Sequence, residues 1–476
     1  MKKLYLIIFF IFNNYILLWG QSDKKDDPSK YIPNILPTTP ESFKFSNFGN
    51  IPIGMFTGAP NISIPITEFS SNNIKIPIKL NYSSNGINID QMNGSVGLGW
   101  TFITGGLITR TVRDKKDVYN KYTGIDVPEY NGNFSILTEY LKLCENDDFD
   151  SEPDLYTANF LGHNFNFVIN QKGNIIILEQ KNYIVNYNNE SFEIILDDGT
   201  RFSFSATETV LNRQQGSGHS IPTTSVNSWY LTSITDTNNN IITIEYNDVI
   251  YTTTLSQSQT MTFTTGEQLK YNDACFTVPY YWPIGQFGSL MSSIQTVKGK
   301  QISKISDSYN NKIIFSYQNY NDQDYQKLVN IKKIDKSNNI IEEFKFNYKL
   351  TNNNRLFLTE IYNVKNNNFY KFTYYNPDSL PERLSFSRDM WGYFNNNKNN
   401  SLIPKINDIN DIAPSFADTK LQTLPNYNGA DQSVNPNVGY YGLLKMITYP
   451  TGGNTLFNYE NHKIKGTKKK LPKILL

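Results

Sequence analysis

Apolar and polar residues alternate in short runs along most of this chain. Residues 61–66 (NISIPI) and 74–82 (IKIPIKLNY) repeat with a period of two, which is the spacing of a β-strand with one buried face. Pro65 and Pro77 fall on the outward side of these strands. Because proline has no N–H to donate, we expect edge or bulge positions there. The pattern predicts a β-rich region over residues 42–225.

Two shorter segments in this region depart from simple alternation. Residues 94–106 hold five glycines around Trp100, and glycine permits tight turns and close approach of the backbone to a large ring. Residues 136–146 place apolar side chains at helical spacing and predict a short helix. Hairpin turns are expected at residues 171–174 and 196–199, where Gly follows Lys or Asp.

One sequence motif recurs in the second half of the chain. An aliphatic residue is followed by a polar, Asn-rich corner and then by an aromatic strand that ends in Tyr or Phe. The copies cover residues 231–246, 302–317, 329–346, 358–375 and 443–459. Asn tolerates the positive φ of tight turns, and hairpins of this kind bury an apolar face only by stacking on their neighbours.

The recurring motif predicts degenerate hairpin repeats over residues 226–462, with a loop-rich insert near residues 386–438. We therefore expect an all-β fold, in which stacked antiparallel hairpins form a large curved or spiralling sheet next to the N-terminal β-rich region. The 32 Tyr and 30 Phe among 476 residues agree with this expectation, because aromatic side chains suit a half-buried pleated surface.

The N-terminus has the layout of a secretory signal peptide over residues 1–20. Two lysines precede an apolar run, and Gly20 precedes a charged segment. The alternative is a single membrane anchor, which the short run with two Asn residues disfavours. Residues 21–41 read as a polar, Pro-containing linker. The sequence predicts an exported protein, extracellular or at the cell surface, with no stable membrane span after cleavage.

Charge is concentrated at the two ends of the chain. Eight lysines lie at positions 2 and 3 and in the basic tail, residues 463–476. Without them the formal net charge changes from +1 to −7. An acidic body argues against a nucleic-acid partner. Two cysteines, Cys144 and Cys275, are compatible with one disulfide or with two free thiols.

Candidate catalytic residues are sparse. The three histidines, His163, His219 and His462, lie far apart in sequence and no catalytic or metal-binding motif surrounds them. We predict no catalytic, cofactor-binding or metal-binding residue, and no cofactor.

Two other groups of side chains are candidate sites. The carboxylates at 147, 148, 150, 152 and 154 are compatible with a calcium site, but their spacing favours a solvated acidic loop. Stacking on sugars is one use for aromatic residues, and packing in the sheet is the favoured alternative. The aromatic candidates are Tyr280, Tyr281, Trp282, Trp391 and Tyr393.

Several segments together resemble the N-terminal part of large secreted Rhs/YD-repeat proteins, including the bacterial toxin-complex wrapper proteins. The likeness rests on residues 50–65, 80–87, 96–100, 105–110, 150–156, 391–393 (WGY) and 442–453, which ends in YPTGG. It implies a long β-sheet that spirals into a hollow shell, often around a C-terminal toxin. The chain ends soon after a repeat, so we expect the front portion of a longer architecture, or a truncated product.

The function expected from these features is that of an exported, non-enzymatic β-scaffold: a shell segment of a toxin-delivery or cell-surface interaction protein. Its partner would be a protein, a glycan or an encapsulated effector supplied elsewhere. A carbohydrate-binding cell-surface protein is the alternative, and a secreted hydrolase is the third reading.

Overall fold

The computed structural model describes most of the chain beyond residue 52. It covers residues 53–54, 57–113, 117, 132, 134–145, 152–170, 172–216, 223–262, 286–287, 290–320, 326–405 and 429–462. All of these belong to one compact unit, Ile53–Leu476. The signal peptide, the linker and the basic tail lie outside the described residues and stay predictions.

The described residues form mainly strands, which confirms the all-β fold class. The strands are β1 Ile62–Ser71, β2 Ile74–Tyr82, β3 Trp100–Ile103, β4 Gly106–Thr111, β5 Leu155–Phe160, β6 His163–Ile169, β7 Ile175–Ile177, β8 Ile184–Asn188, β9 Ser191–Ile195, β10 Arg201–Gln215, β11 Thr223–Thr235, β12 Ile241–Ser258, β13 Met261–Thr262, β14 Gln286–Phe287, β15 Met291–Asp307, β16 Lys312–Asn319, β17 Gln326–Ile334, β18 Ile340–Leu350, β19 Leu356–Asn363, β20 Asn368–Tyr374, β21 Leu444–Thr448 and β22 Asn454–Leu456. One α-helix, α1, covers Phe134–Glu145, and a short 3-10 helix covers Pro377–Ser379.

The first three strands form a separate antiparallel sheet in the order β1-β2-β3. β1 is an edge strand, and its register shifts between Pro65 and Thr67, which confirms the expected bulge. Pro77 pairs with Glu68 on β1 but lies outside the stretch of β2 that pairs with β3. Neither proline therefore removes a hydrogen bond that a central strand position would need.

The large sheet is an antiparallel meander from β15 to β22, in which each strand pairs with the next. β20 pairs with β21 although the predicted insert separates them in sequence. At the other end, β10 pairs with β11 and β15, and β12 pairs with the same two strands, so these four form a closed ring of pairings. β11 also pairs with β4, which leads to β5, β6 and β7. Consecutive hairpins thus build the sheet, as the repeats predict.

One part of the core lies where the three-stranded sheet covers the apolar face of the meander, and another is an aromatic cluster on β5, β6, β9, β10 and β11. Each of the five copies has a buried isoleucine ahead of its corner, at most 2% exposed: Ile234, Ile305, Ile331, Ile361 and Ile447. Trp100 on β3 packs edge-on against Phe372, with ring centroids 4.7 Å apart. Phe102 packs on Phe315 at 5.7 Å.

The predicted short helix is confirmed as α1. Tyr140 is its one buried residue, whereas Leu141 is 54% exposed, so the apolar stripe is narrower than the spacing indicates. The predicted boundary between the N-terminal β-rich region and the repeats, at residues 225–226, stays a prediction. β11 runs across residue 225, and the sheet is continuous there.

Candidate functional site

The Asn-rich corners share one hydrogen-bonded geometry over five residues. In residues 236–240, the Asp236 N–H donates to the carbonyl of Asn240 (3.1 Å), and the Asn239 N–H donates to the carbonyl of Asp236 (3.0 Å). The Asp236 carboxylate accepts from the backbone N–H groups of Asn238 and Asn240, both at 2.8 Å. The fourth residue has positive φ, +62° for Asn239. We call this unit the five-residue corner.

The five-residue corner recurs at 307–311 and 335–339, where Asn310 and Asn338 have φ of +68° and +63°. Positive φ at the Asn residues was predicted and is confirmed. The role of the leading aspartate was missed, although Asp at the first position of DTNNN, DSYNN and DKSNN was the available signal. The side-chain amide of Asn240 and the backbone N–H groups hold the pKa of Asp236 below its usual range.

Tyrosine hydroxyls link the two strands of a repeat. The hydroxyl of the tyrosine that ends a repeat donates to a leucine carbonyl at or next to the start of the same repeat. This bond occurs in Tyr246 to Leu231 (2.7 Å), Tyr348 to Leu328 (2.6 Å), Tyr374 to Leu358 (2.6 Å) and Tyr459 to Leu444 (2.9 Å). The third copy therefore ends at Tyr348, two residues beyond the predicted Phe346.

The glycine–tryptophan segment, residues 94–106, lies directly on the meander. A Cβ on Gly97 (φ +91°) would lie 3.0 Å from the Leu358 nitrogen, and the neighbouring Leu98 N–H donates to the Leu356 carbonyl at 2.9 Å. A Cβ on Gly99 (φ +78°) would lie 2.4 Å from the ring of Tyr82. The predicted close backbone approach beside a large aromatic is confirmed.

Trp100 is joined to the repeats by a buried hydrogen-bond chain. Its Nε1–H donates to the Tyr374 hydroxyl (2.8 Å), which donates in turn to the Leu358 carbonyl. Burial raises the pKa of Tyr374, so the hydroxyl stays protonated and can donate. The glycine–tryptophan segment and the fourth repeat are therefore one packed unit.

A polar cavity of about 630 Å³ lies beside this segment. Residues 91–93, the ends of β10, β12 and β15, the corner 351–355 and residues 382–384 line it. Three arginines, Arg213, Arg355 and Arg383, and one carboxylate, Glu382, are among the lining residues.

A second, smaller cavity of about 260 Å³ lies near the first and shares Met92, Asn93 and Tyr320 with it. Glu208 lines this second cavity, and the Tyr230 hydroxyl donates to its carboxylate at 3.1 Å. Burial raises the pKa of Glu208.

Two of the three histidines lie within the described residues, and each has its own partner. His163 is half-buried, its Nδ1 lies 3.0 Å from the Tyr183 hydroxyl, and burial lowers its pKa. His462 is exposed, with Nε2 at 3.1 Å from the Thr57 carbonyl. His219 lies outside the described residues.

The prediction of a solvated acidic loop is wrong for Asp154. This carboxylate is fully buried and forms an ion pair with Arg110, whose side chain is 8% exposed. The backbone N–H groups of Arg113 and Asp117 also donate to it, each at 2.9 Å. The pairing of β5 with β4, which the local spacing does not reveal, places Asp154 in the interior. Glu152 is exposed, and the other three carboxylates lie outside the described residues.

Trp391 is 64% exposed, so the favoured prediction that it packs in the sheet is wrong. It sits at the third position of another five-residue corner, 389–393, led by Asp389. Tyr393 instead packs on Gly86, where a Cβ would meet its ring at 2.8 Å. Tyr280, Tyr281 and Trp282 lie outside the described residues.

Cys144 is half-buried on α1 and forms no disulfide within the described part of the chain, while Cys275 falls outside it. The described residues hold no group of His, Cys, Asp or Glu side chains able to bind a metal ion. They also contain no helix of the length and apolarity that crossing a membrane requires.

Comparisons with known proteins give distant structural neighbours. No family model matches the sequence, and no curated protein matches it. The crystal structure of TcdB2-TccC3 is 10% identical with a TM-score of 0.36, over 69% of this chain and 17% of that one. The N-terminal domain of effector protein SpvB from Salmonella typhimurium strain LT2 is 10% identical with a TM-score of 0.30, over 64% of this chain and 98% of that one. This chain spans less than a fifth of the first neighbour, and similarity of this size supports no conclusion about function.

Proposed function

We propose that this chain is an exported, non-enzymatic β-scaffold of the Rhs/YD-repeat type, a shell segment of a toxin-delivery or cell-surface interaction protein. The observation that carries the proposal is the repeated unit itself. The five-residue corner, a buried isoleucine and the bond from a tyrosine hydroxyl to a leucine carbonyl recur together in residues 231–246, 328–348 and 444–459. A surface built by repetition suits enclosure or contact better than a single catalytic cleft.

The position of the glycine–tryptophan segment gives further support. Two of the segments that carry the sequence resemblance, residues 96–100 and 105–110, contact the repeats through Gly97, Trp100 and Gly105. The WGY and YPTGG segments of the same resemblance form corners of the repeat geometry. Residues that carry the resemblance therefore pack on the repeats or form turns in the scaffold.

Export is tested by expressing the chain with and without residues 1–20 in a bacterial host, followed by fractionation and N-terminal sequencing. We expect an exported product that begins near Gln21, and retention in the cytoplasm after the deletion. Full-length protein that keeps Met1 in the cytoplasmic fraction would contradict the proposal.

The non-enzymatic part is tested with chromogenic glycosides, esters and peptides. We expect no turnover above buffer. Saturable turnover that Glu208→Gln abolishes would establish a hydrolase instead, because Glu208 is the half-buried carboxylate with a raised pKa in the second cavity.

A carbohydrate-binding surface is the second candidate, and the exposure of Trp391 favours it. An exposed indole held on a rigid corner is a surface on which a sugar ring can stack. A glycan array on wild type and Trp391→Ala tests this candidate. Hits that the substitution removes would support it, and an array without hits would remove it.

A further inference from the structure

The repeat at residues 302–317 lacks a contact that the other four copies share. In the first and last copies the tyrosine hydroxyl donates to the carbonyl fifteen residues earlier. The same spacing matches Tyr317 with Ile302. That bond does not form, and the Tyr317 hydroxyl has no hydrogen-bond partner among the described residues. One hydroxyl of the repeated series is therefore unused.

The two strands of this copy diverge where the bond would lie. β15 and β16 pair with each other only through residues 304–306 of β15. Beyond that point, β16 continues beside β17, and residues 300–302 of β15 continue beside β12. The register of β15 with β12 shifts between Glu245 and Tyr246, which leaves Ser303 as the extra residue of a β-bulge. A bulge changes the direction in which neighbouring side chains project.

A cavity of about 410 Å³ lies at this divergence. Ile302 and Tyr317 line it from the two strands, and the glycine–tryptophan segment supplies other lining residues. The half-buried rings of Phe102, Tyr230 and Tyr246 form part of its wall, with the two tyrosine rings 5.4 Å apart. Both of these tyrosine hydroxyls are bonded to other residues. These two tyrosines therefore offer the cavity aromatic surface, whereas Tyr317 offers an unused hydroxyl.

Two more polar groups at this cavity lack partners within the described part of the chain. The Thr104 hydroxyl and the Gln301 side-chain carbonyl oxygen are both inaccessible to bulk water and form no hydrogen bond there. Buried polar groups are costly to leave unpaired, so a cavity that collects them favours a polar occupant. Burial raises the pKa of Tyr317, so its hydroxyl stays protonated and can donate.

We propose that this cavity binds a neutral polyhydroxyl ligand of the size of one sugar ring, whose hydroxyl groups bond to Thr104, Gln301 and Tyr317. Each of these side chains is uncharged and can exchange hydrogen bonds with a hydroxyl group. The apolar C–H face of the ligand packs on the rings of Tyr230 and Tyr246. The volume of 410 Å³ falls within the range of small-molecule sites, about 300–1,000 Å³.

Calorimetric titration and thermal unfolding of the full chain test the proposal. The probes are glucose, galactose, myo-inositol and maltose, and cyclohexanol is the ligand control because its ring carries a single hydroxyl. The variants Tyr317→Phe and Thr104→Val each remove an unused hydroxyl and keep a similar shape. Tyr362→Phe is the matched control, because its hydroxyl bonds to Asn367 outside the cavity. Trp391→Ala is the control for binding at the exposed indole, which does not line the cavity.

We expect saturable binding of at least one hydroxylated probe, with a raised unfolding temperature in the wild type and in both control variants. Tyr317→Phe and Thr104→Val are each expected to weaken binding about fivefold or more, the loss of one buried hydrogen bond. Because the removed hydroxyls have no partner in the described protein, the unliganded variants should unfold at or above the wild-type temperature. Binding of a monosaccharide without maltose indicates a free ligand, and binding of maltose indicates the end of a glycan; either supports the site.

Absence of saturable binding by all four probes, equal binding in the wild type and Tyr317→Phe, or cyclohexanol binding as tight as that of the sugars overturns the proposal. Loss of binding in Trp391→Ala would place the sugar on the surface and overturn it as well. A lowered unfolding temperature in both unliganded cavity variants, together with no sugar binding, would show that their hydroxyls hold structural water instead. Should Thr104→Val fail to fold, Tyr317→Phe decides, since that variant keeps the aromatic ring.

Discussion

Replacing Tyr374 by Phe removes one oxygen atom from the centre of the contact between the glycine–tryptophan segment and the repeats. That oxygen accepts a hydrogen bond from Trp100 at 2.8 Å and donates one to the Leu358 carbonyl at 2.6 Å. Tyr374, Trp100 and Leu358 are 9%, 4% and 0% exposed. Water cannot readily replace the lost partner, so both groups would stay unsatisfied.

The expected cost follows from the two orphaned groups. A buried polar group without a partner costs about 1–3 kcal/mol. The Trp100 N–H loses its acceptor outright, whereas the Leu358 carbonyl lies in a paired strand and loses less. We expect Tyr374→Phe to lower the free energy of unfolding by about 2–4 kcal/mol. Tyr459→Phe, which breaks a single bond of a half-buried hydroxyl, is expected to cost about 1 kcal/mol.

Urea unfolding followed by tryptophan fluorescence and far-UV circular dichroism measures these differences. Tyr362→Phe is the control, because its hydroxyl bonds only to the exposed Asn367 side chain and its loss should stay within about 0.5 kcal/mol. The reasoning fails if Tyr374→Phe is no more destabilising than Tyr459→Phe. It also fails if the wild type shows different urea transitions by tryptophan fluorescence and by circular dichroism.

Three further substitution sets test other parts of the structure by urea unfolding. Gly99→Ala should cost about 3 kcal/mol or more, because positive φ and contact with the Tyr82 ring add, whereas Gly162→Ala, with φ +90° and nothing within 4 Å, should cost about 1 kcal/mol. Asp154→Asn leaves a buried arginine unpaired and should cost about 3–5 kcal/mol. The lowered pKa values of Asp236 and Asp335 mean that their carboxylates stabilise the fold above the unfolded pKa, near 3.8, and stop doing so as pH falls through the folded pKa. A double Asp→Asn variant should therefore lose less stability than wild type between about pH 6 and about pH 3.

Each set has an outcome that contradicts it. Equal costs for the two glycine variants would show that the ring contact at Gly99 is relieved. A cost for Asp154→Asn no larger than that of Asp378→Asn, whose ion pair with Lys349 is exposed, would show that burial of Asp154 has no energetic effect. An acid sensitivity unchanged in the double variant would show that the corner carboxylates contribute nothing that depends on their charge.

Local chemistry explains why much of the fold could be predicted. Asn at the fourth corner position adopts positive φ with little strain, and alternating apolar residues define one face of a strand, so corners and strands follow from adjacent residues. The bulge at Pro65 follows from its missing N–H in the same way. The recurring motif likewise predicts a run of paired hairpins, and the meander confirms this prediction.

The candidate site was mostly hidden in the sequence. Arg355 donates to the carbonyls of Gln91 and Ile89, which precede it by more than 260 residues. Asp154 looks like part of an acidic loop until β5 pairs with β4 and brings Arg110 to it. Trp391 is of a residue type that usually packs in a core, yet its position in the corner 389–393 leaves its side chain exposed to solvent.

The sequence by itself determined the all-β class, the hairpin unit and the glycines beside Trp100, since each depends on residues within a few positions of one another. The tertiary structure alone decided the ring of pairings among β10, β11, β12 and β15, the burial of Arg355 and the arginine-lined cavity. These depend on which distant strands become neighbours and in what register. A one-residue change of register would reverse the face of every side chain on a strand, and spacing along the chain does not encode that choice.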